Sequence, residues 1–148
     1  MPGVEDRLVH GREQIIRNLQ AFPEELRQKA LVRGVMAGGR VIRDDARARV
    51  RVRTGHLQKS IVVQRRRTEH KFDISVSIGI KPKTAARKYA HLEEFGRSAT
   101  TVKSTGMKVG PTKPNPFLRP AADSNDAAVL EAVFGAVDKF MRKQGVPA

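Results

Sequence analysis

The chain has 148 residues and no cysteine, and its 29 Lys and Arg against 15 Asp and Glu give a formal net charge of +14. A chain of this length buries roughly two-thirds of its unfolded surface on folding, so we expect one domain over residues 1–148 with its own core. The absence of cysteine excludes disulfides, thiolate metal sites, iron–sulfur clusters and thiol nucleophiles. The charge favours a polyanion or an acidic protein surface as partner.

A membrane location is not expected. No segment approaches the ~20 apolar residues that span a bilayer. Acidic Glu5 and Asp6 stand where a signal peptide would be basic and then apolar. We therefore expect synthesis in the cytoplasm and no membrane partner.

Two helices are predicted in the first third of the chain. The first covers residues 4–20, with apolar residues at helical spacing: Val4, Leu8, Ile15, Ile16 and Leu19. Pro23 and Glu24 favour a new helix start, and apolar residues then recur every three or four positions to about Val50. Gly38 and Gly39 in its middle each cost about 1 kcal/mol relative to alanine, so we expect a close packing contact or a bend there.

The middle of the chain predicts strands. Arg53-Thr54-Gly55 is typical of a turn, and Ile61-Val62-Val63 opens a first strand. Residues 72–80 alternate apolar and polar residues, which predicts a strand with one buried face, joined to the first by a turn at residues 69–71. A short helix is expected over residues 85–95, ending at Gly96.

The rest of the chain predicts a long loop and a terminal helix. Residues 97–116 are rich in Ser, Thr, Lys, Gly and Pro without apolar periodicity, and the last helix is expected over residues 123–143. The fold class is therefore α+β: a small antiparallel sheet packed by a long helix and a C-terminal helix, with a long extended loop. The segments of this single domain are 1–22, 23–96, 97–116 and 117–148.

Catalytic chemistry finds little support. The four histidines are dispersed, and the adjacent acids Asp44-Asp45 and Glu93-Glu94 point about 100° apart on a helix. No nucleophile elbow, phosphate loop or dinucleotide glycine pattern occurs in the sequence. We expect no enzymatic activity, no catalytic or metal-binding residue and no cofactor.

The basic residues are the stronger signal, since the whole positive excess lies before residue 114. Arg40, Arg43, Arg47, Arg49, Arg51 and Arg53 crowd the end of the long helix, and Arg65-Arg66-Arg67 follow on the first strand. Guanidinium groups bind phosphates bidentately, which fits a nucleic-acid-binding protein. A basic face that meets acidic faces of partner subunits explains the same residues, and composition leaves both interpretations open.

Three segments together resemble one family. Residues 52–61 read Val-Arg-Thr-Gly-His-Leu-Gln-Lys-Ser-Ile, residues 89–96 read Tyr-Ala-His-Leu-Glu-Glu-Phe-Gly, and residues 116–121 read Pro-Phe-Leu-Arg-Pro-Ala. In this order and spacing they are similar to the segments of the HK97 gp10-like phage proteins, over roughly residues 24–143. The motif residues are Thr54, Gly55, Leu57, Glu94, Phe95, Gly96, Pro116 and Pro120.

The resemblance implies a non-enzymatic α+β protein of a tailed-phage virion, made in the host cytoplasm and placed in the neck. It implies a tail-completion or head–tail joining role in a homo-oligomeric ring, six-fold by analogy, with a connector or head-closure protein on one side and a tail terminator or tail tube protein on the other. DNA would pass through the ring. We place the contacts with neighbours on Arg40, Arg43, Arg47, Arg51, Arg53, Lys103, Lys108, Lys113, Phe117 and Arg119.

The motif residues also predict local structure. Gly55 tolerates the positive φ of a sharp helix-to-strand turn. Glu94 is expected to pair with Arg53 or Arg119, and Phe95 to pack in the core. The prolines at 116 and 120 restrict the entry to the last helix, which Phe117 anchors.

Overall fold

The computed structural model describes residues 4–70 and 73–145, and for residues 4–10 it describes the backbone alone. The helices are α1 (Val4–Ala21), α2 (Glu24–Arg49), α3 (His56–Ser60), α4 (Ala86–Phe95), α5 (Leu118–Asp123) and α6 (Asp126–Lys143). The strands are β1 (Ile61–Arg65), β2 (Val76–Ile80), β3 (Thr100–Thr101) and β4 (Lys108–Val109). The predicted α+β class is confirmed.

The chain forms two compact units, each with its own apolar core. The first unit contains residues up to 41, residues 64–77 and residues from 126 onward, and the second contains residues 42–63 and 78–125. The long helix α2 contributes its first part to one unit and its last part to the other. A single domain over residues 1–148 stays a prediction.

The core of the first unit lies among α1, α2 and α6. Its buried residues are Phe22, Ala30, Val137, Phe140 and Met141. Gly34 and Gly38 let α6 approach α2 closely, because a Cβ on Gly34 would lie 2.8 Å from Val137 Cγ2 and one on Gly38 would lie 2.9 Å from Val133 Cγ2. The glycine at position 38 therefore serves the close packing contact that the sequence offered as one of two explanations.

The core of the second unit gathers the end of α2, α3, the sheet and α4. Its buried residues are Ala46, Val50, Leu57, Ile61, Ala86, Ala90, Phe117 and Ala121. Ile78 and Ile80 of β2 pack against this cluster, so one face of the predicted alternating strand is covered as expected.

β1 and β2 form a two-stranded sheet. The Arg66 N–H donates to the Ser75 carbonyl at 2.9 Å, and the Lys81 N–H donates to the Ser60 carbonyl at 2.8 Å, which is an antiparallel register. The prediction of a strand over 72–80 is wrong at its start: β2 begins at Val76, and Phe72 lies outside the described residues. The Thr68 hydroxyl donates a hydrogen bond to the Asp73 carbonyl at 2.6 Å. The turn therefore includes residues 68 and 73 and is wider than the predicted turn at 69–71.

Two further predictions are corrected. Residues 97–116 are not a plain loop, because β3 and β4 pair antiparallel within them. The last helix, predicted from residue 123, begins at Asp126, and a separate helix, α5, precedes it, with a break at Ser124 and Asn125. The break has a local cause: the Ser124 hydroxyl donates to the Pro120 carbonyl at 2.7 Å, and the Asn125 amide donates to the Ala121 carbonyl at 2.8 Å, so side chains end α5.

Candidate functional site: surfaces for assembly

The turn between α2 and α3 depends on one glycine. Gly55 has φ 74°, the left-handed conformation that side chains disfavour, and it precedes α3 as its N-terminal cap. Leu57 then enters the core, and the Ser60 hydroxyl donates to the His56 carbonyl at 2.6 Å. The predicted positive φ of Gly55 is confirmed, but the turn leads into α3 and reaches the strand only after it, and Thr54 lies exposed beside it.

Several arginines of α2 are bound by their own chain. The Arg47 guanidinium donates to the Ile61 carbonyl from Nη2 at 2.7 Å and from Nε at 3.2 Å, which fastens the start of β1 to the helix. Arg43 pairs with Asp44 at 2.7 Å. Arg40, Arg51 and Arg53, by contrast, are exposed. The cluster predicted from sequence is therefore part structural and part free surface.

Asp45 joins α2 to the break between α5 and α6. Its carboxylate accepts hydrogen bonds from Arg49 Nε at 2.9 Å and Asn125 Nδ2 at 2.7 Å, and Arg49 Nη2 also donates to the Ser124 hydroxyl at 3.0 Å. The hydrogen bond from Arg49, together with that from Asn125, lowers the pKa of Asp45 against the opposing effect of desolvation. Neither Asn125 nor Ser124 was singled out from the sequence, since a lone Ser-Asn pair in a helical pattern carries no distinctive signal.

Glu94 caps the N-terminus of α5. Its Oε2 accepts the backbone N–H groups of Phe117 at 2.8 Å and Leu118 at 3.0 Å, and its Oε1 accepts that of Arg119 at 3.1 Å. Three of the donors that a helix start leaves unpaired are thus satisfied by one carboxylate. The next-to-last residue of α4 and the first residues of α5 are held together across 23 to 25 positions of sequence.

The charge state of Glu94 follows from this geometry. Burial alone would raise the pKa of its carboxyl, but the three backbone hydrogen bonds and the nearby charge of Arg119 outweigh burial and lower it. The predicted arginine partner is corrected accordingly: the direct partners are backbone amides, and Arg119 acts through its charge. Among the described residues, Arg53 forms neither a hydrogen bond nor an ion pair with Glu94.

The neighbouring residues complete this anchor. Gly96 has φ 72°, and a Cβ there would lie 2.7 Å from the Thr112 carbonyl oxygen and 2.8 Å from Pro114 N. The Glu93 carboxylate accepts the Asn115 amide at 3.1 Å, while the Asn115 N–H donates to the Glu93 carbonyl at 2.7 Å. The Glu-Glu-Phe-Gly segment therefore binds the returning chain at positions 112–119.

Between these anchored ends residues 97–112 form a hairpin arm. Arg97 and Thr112 exchange backbone hydrogen bonds at 2.9 and 2.8 Å, β3 pairs with β4, and the chain reverses between Val102 and Met107. Residues 97–116 contain four basic residues and no acidic one. Lys103 and Lys108 are exposed on the arm and Lys113 just beyond it.

Exposed apolar side chains accompany the arm. Phe95 is 75% exposed and Met107 60% exposed. The prediction that Phe95 packs in the core is wrong, because position 95 lies on the outer side of α4 while Ala86 and Ala90 face inward. Phe95 borders a groove of about 400 Å³ that Ile80, Ala90 and Leu118 also line.

The residues predicted to contact neighbours divide by exposure. Those on the surface are Arg40, Arg51, Arg53, Lys103, Lys108, Lys113 and Arg119, and those half-buried are Arg43 and Arg47. Phe117 is 2% exposed and belongs to the core of the second unit, so the structure gives it the folding role of anchoring α5. Of the two prolines in its motif, Pro116 is exposed and Pro120 lies half-buried within α5.

Two other kinds of site find no support in the described part of the chain. No group of three or more His, Cys, Asp or Glu residues there lies close enough to hold a metal ion. None of the helices formed by these residues combines the length and apolar character needed to cross a membrane.

Comparison with known families decides the affiliation. Residues 13–96 match the model of the HK97-gp10-like family, described as "Bacteriophage HK97-gp10, putative tail-component". The chain belongs to the HK97-gp10-like family. The match covers α2, the Gly55 turn, the sheet and α4 through Gly96, and the predicted family is thereby confirmed. The searches of curated proteins and of solved structures found no match.

The contacts described above fall partly inside and partly outside the residues that match the family. The Gly55 turn, the Arg47 contact and the acidic side chains of α4 lie within residues 13–96, whereas the hairpin arm and α5 lie beyond them. The HK97-gp10-like region of this chain thus supplies the carboxylate, Glu94, that holds the segment after it.

Proposed function

We propose that this protein is a structural virion protein of a tailed phage that completes the tail and joins it to the head, as a homo-oligomeric ring in the neck. The observation that carries the proposal is its membership of a phage tail-component family. The six-fold copy number, the connector or head-closure protein on one side and the tail terminator or tail tube protein on the other are parts of the same proposal.

The hairpin arm supports a role in assembly. Its strands are two residues long, most of its side chains are exposed, and the backbone bonds between Arg97 and Thr112 close its base. A basic and largely exposed segment suits contact with another subunit. Closed rings need two different surfaces on each copy that meet each other. We assign the arm to one of these surfaces.

The second surface is assigned to the exposed apolar groove beside Phe95 or to the exposed arginines Arg51 and Arg53. A phenyl ring 75% exposed next to an apolar groove is what a subunit contact would cover. No catalytic step is part of the proposal, and the function is mechanical.

The experiment that tests it is complementation of a phage or prophage whose copy of the gene has been deleted. The variant replaces residues 100–109 by a short glycine turn and retains Arg97 and Thr112, whose backbone bonds close the base of the arm. We expect the wild-type gene to restore infectious particles, and the variant to leave filled heads and separate tails in electron micrographs. A matched control, Lys139→Gln on α6, should complement fully.

Two outcomes would contradict the proposal. One is a purified virion that lacks the polypeptide. The other is the normal joining of heads to tails in its absence. For particles that contain the protein, symmetry-resolved imaging of the neck measures the number of copies in the ring directly.

A further inference from the structure

A pocket lined by arginine lies in the first unit, outside every surface described so far. Its walls are Gln28 of α2 and the segment Arg65, Arg66, Arg67, Thr68 and His70, and its volume is about 390 Å³. We call this set the arginine pocket. We propose that the arginine pocket binds the phosphate backbone of duplex DNA.

The chemistry of the lining favours phosphate. Three consecutive arginines line one depression, and no carboxylate is among its described lining residues. Guanidinium groups match phosphate oxygens with two parallel hydrogen bonds, which an ammonium group does not provide. Bidentate phosphate contact therefore suits this site better than it suits the dispersed lysines of the hairpin arm.

These arginines also differ from those of α2. Arg43, Arg47 and Arg49 are engaged by Asp44, by the Ile61 carbonyl and by Asp45. Within the part of the chain that the structure describes, the side chains of Arg65, Arg66 and Arg67 have no hydrogen bond or ion pair, and all three are exposed. Their donors are therefore available to a ligand.

The lining argues against a protein partner. Stable protein interfaces have apolar or aromatic anchors at their centre. The described lining of the arginine pocket has none, and the large exposed apolar side chains among the described residues lie elsewhere: Ile16, Val52, Tyr89, Phe95, Met107 and Leu130. A surface of cationic and polar groups alone fits a polyanion whose charge is regularly spaced.

The turn after the arginines holds the pocket in shape. The Thr68 hydroxyl donates to the Asp73 carbonyl at 2.6 Å, and the Asp73 N–H donates to the His70 carbonyl at 3.1 Å. The Arg66 N–H is fixed to Ser75 by the sheet. The guanidinium groups thus project from a backbone that is already ordered, which reduces the entropy lost on binding.

The test measures binding of the purified chain to a short labelled DNA duplex by fluorescence anisotropy at several salt concentrations. With three phosphates neutralised, the slope of log K against log salt contains about −2.7 from this pocket, so raising salt from about 50 to about 200 mM weakens its contribution about 40-fold. The triple variant Arg65→Gln, Arg66→Gln, Arg67→Gln should lose that share of the slope.

Two further variants make the result decisive. The control Lys81→Gln, Lys139→Gln, Lys143→Gln removes the same charge from other exposed positions and should change the slope by less than one. The variant Arg65→Lys, Arg66→Lys, Arg67→Lys keeps the charge. It should retain most of the slope of log K against log salt but bind DNA more weakly. Thermal unfolding of each variant checks that the fold is retained.

The inference is overturned if the wild type shows no binding, if both Gln triples weaken it equally, or if polyglutamate of matched charge competes as well as DNA. The last result would assign the pocket to an acidic protein surface. The assay needs no particle, so a negative result leaves the proposed role in the neck untouched, and a failed complementation leaves the pocket untouched.

Discussion

The carboxylate of Glu94 and the backbone N–H of Phe117, 2.8 Å apart, join the end of α4 to the start of α5. With the bonds to Leu118 and Arg119, this contact closes the chain around the hairpin arm and caps a helix in the same step. One side chain thus fixes where the arm begins and where it ends.

Replacing Glu94 by Gln should lower the free energy of unfolding by about 1–2 kcal/mol. The neutral amide oxygen accepts backbone N–H bonds more weakly than a carboxylate, and the amide NH2 group would face backbone N–H donors that it cannot accept. Urea unfolding followed by circular dichroism measures the loss. Glu131→Gln on the exposed side of α6 is the matched control and should change stability by less than about 0.5 kcal/mol. Equal stability of the two variants would refute the capping role.

The same carboxylate predicts a pH dependence. The pKa of Glu94 is lower in the folded chain than its ordinary 4.5, so the unfolded chain binds the proton more readily. The stabilisation is fully present above pH 4.5 and is lost as the pH falls through the folded value. As the pH is lowered from 7, the melting temperature should fall less for Glu94→Gln than for the wild type. Asp45, whose pKa is also lowered, accounts for part of the loss that remains.

The contact between α2 and α6 predicts that Gly→Ala substitution lowers stability on α2 and raises it on the exposed side of α6. Gly34→Ala should destabilise the protein, because the new methyl group would lie 2.8 Å from Val137 Cγ2 and 3.1 Å from the Val133 carbonyl oxygen. Gly135→Ala on α6 meets nothing within 4 Å and should stabilise by about 1 kcal/mol through helix propensity. Denaturation midpoints of the two variants give the comparison, and a gain in stability at position 34 would contradict the packing.

Glycine 96 should be harder to replace than glycine 55. Both have positive φ, but a Cβ on Gly55 has ample space whereas one on Gly96 would press against the Thr112 carbonyl oxygen at 2.7 Å. Gly55→Ala should cost about 1–2 kcal/mol from conformation alone. Gly96→Ala should cost more and increase the protease sensitivity of the hairpin arm. Chemical denaturation and limited proteolysis measure the two effects, and a smaller cost at Gly96 would count against the anchor.

The long helix was predictable from sequence, since its apolar spacing extends over seven turns and its start carries Pro23 and two acids; the predicted end at Val50 and the observed end at Arg49 differ by one residue. The hairpin arm was not predictable. Its paired strands are polar and two residues long, and backbone bonds at Arg97 and Thr112 rather than apolar alternation hold them.

The candidate site shows the same division. Gly55 was identified because a backbone with positive φ favours glycine, so the residue type alone indicates the conformation. The partner of Glu94 was not, because charge patterns suggest guanidinium groups and backbone amides leave no trace in the sequence. The misplacement of Phe95 arose because an aromatic residue beside a glycine resembles a core position, whereas its helix turns it outward.

The anchored base of the hairpin arm has a consequence for the tolerance of this protein to change. Since Gly96 and Glu94 secure both ends, lengthening the tip between Lys103 and Gly106 removes the turn's bonds to the Val102 carbonyl and adds loop-closure entropy of about 0.6 kcal/mol for each doubling. A peptide tag or fluorophore grafted there would leave the two cores intact, so the tip of the arm is the place in this chain for a reporter group.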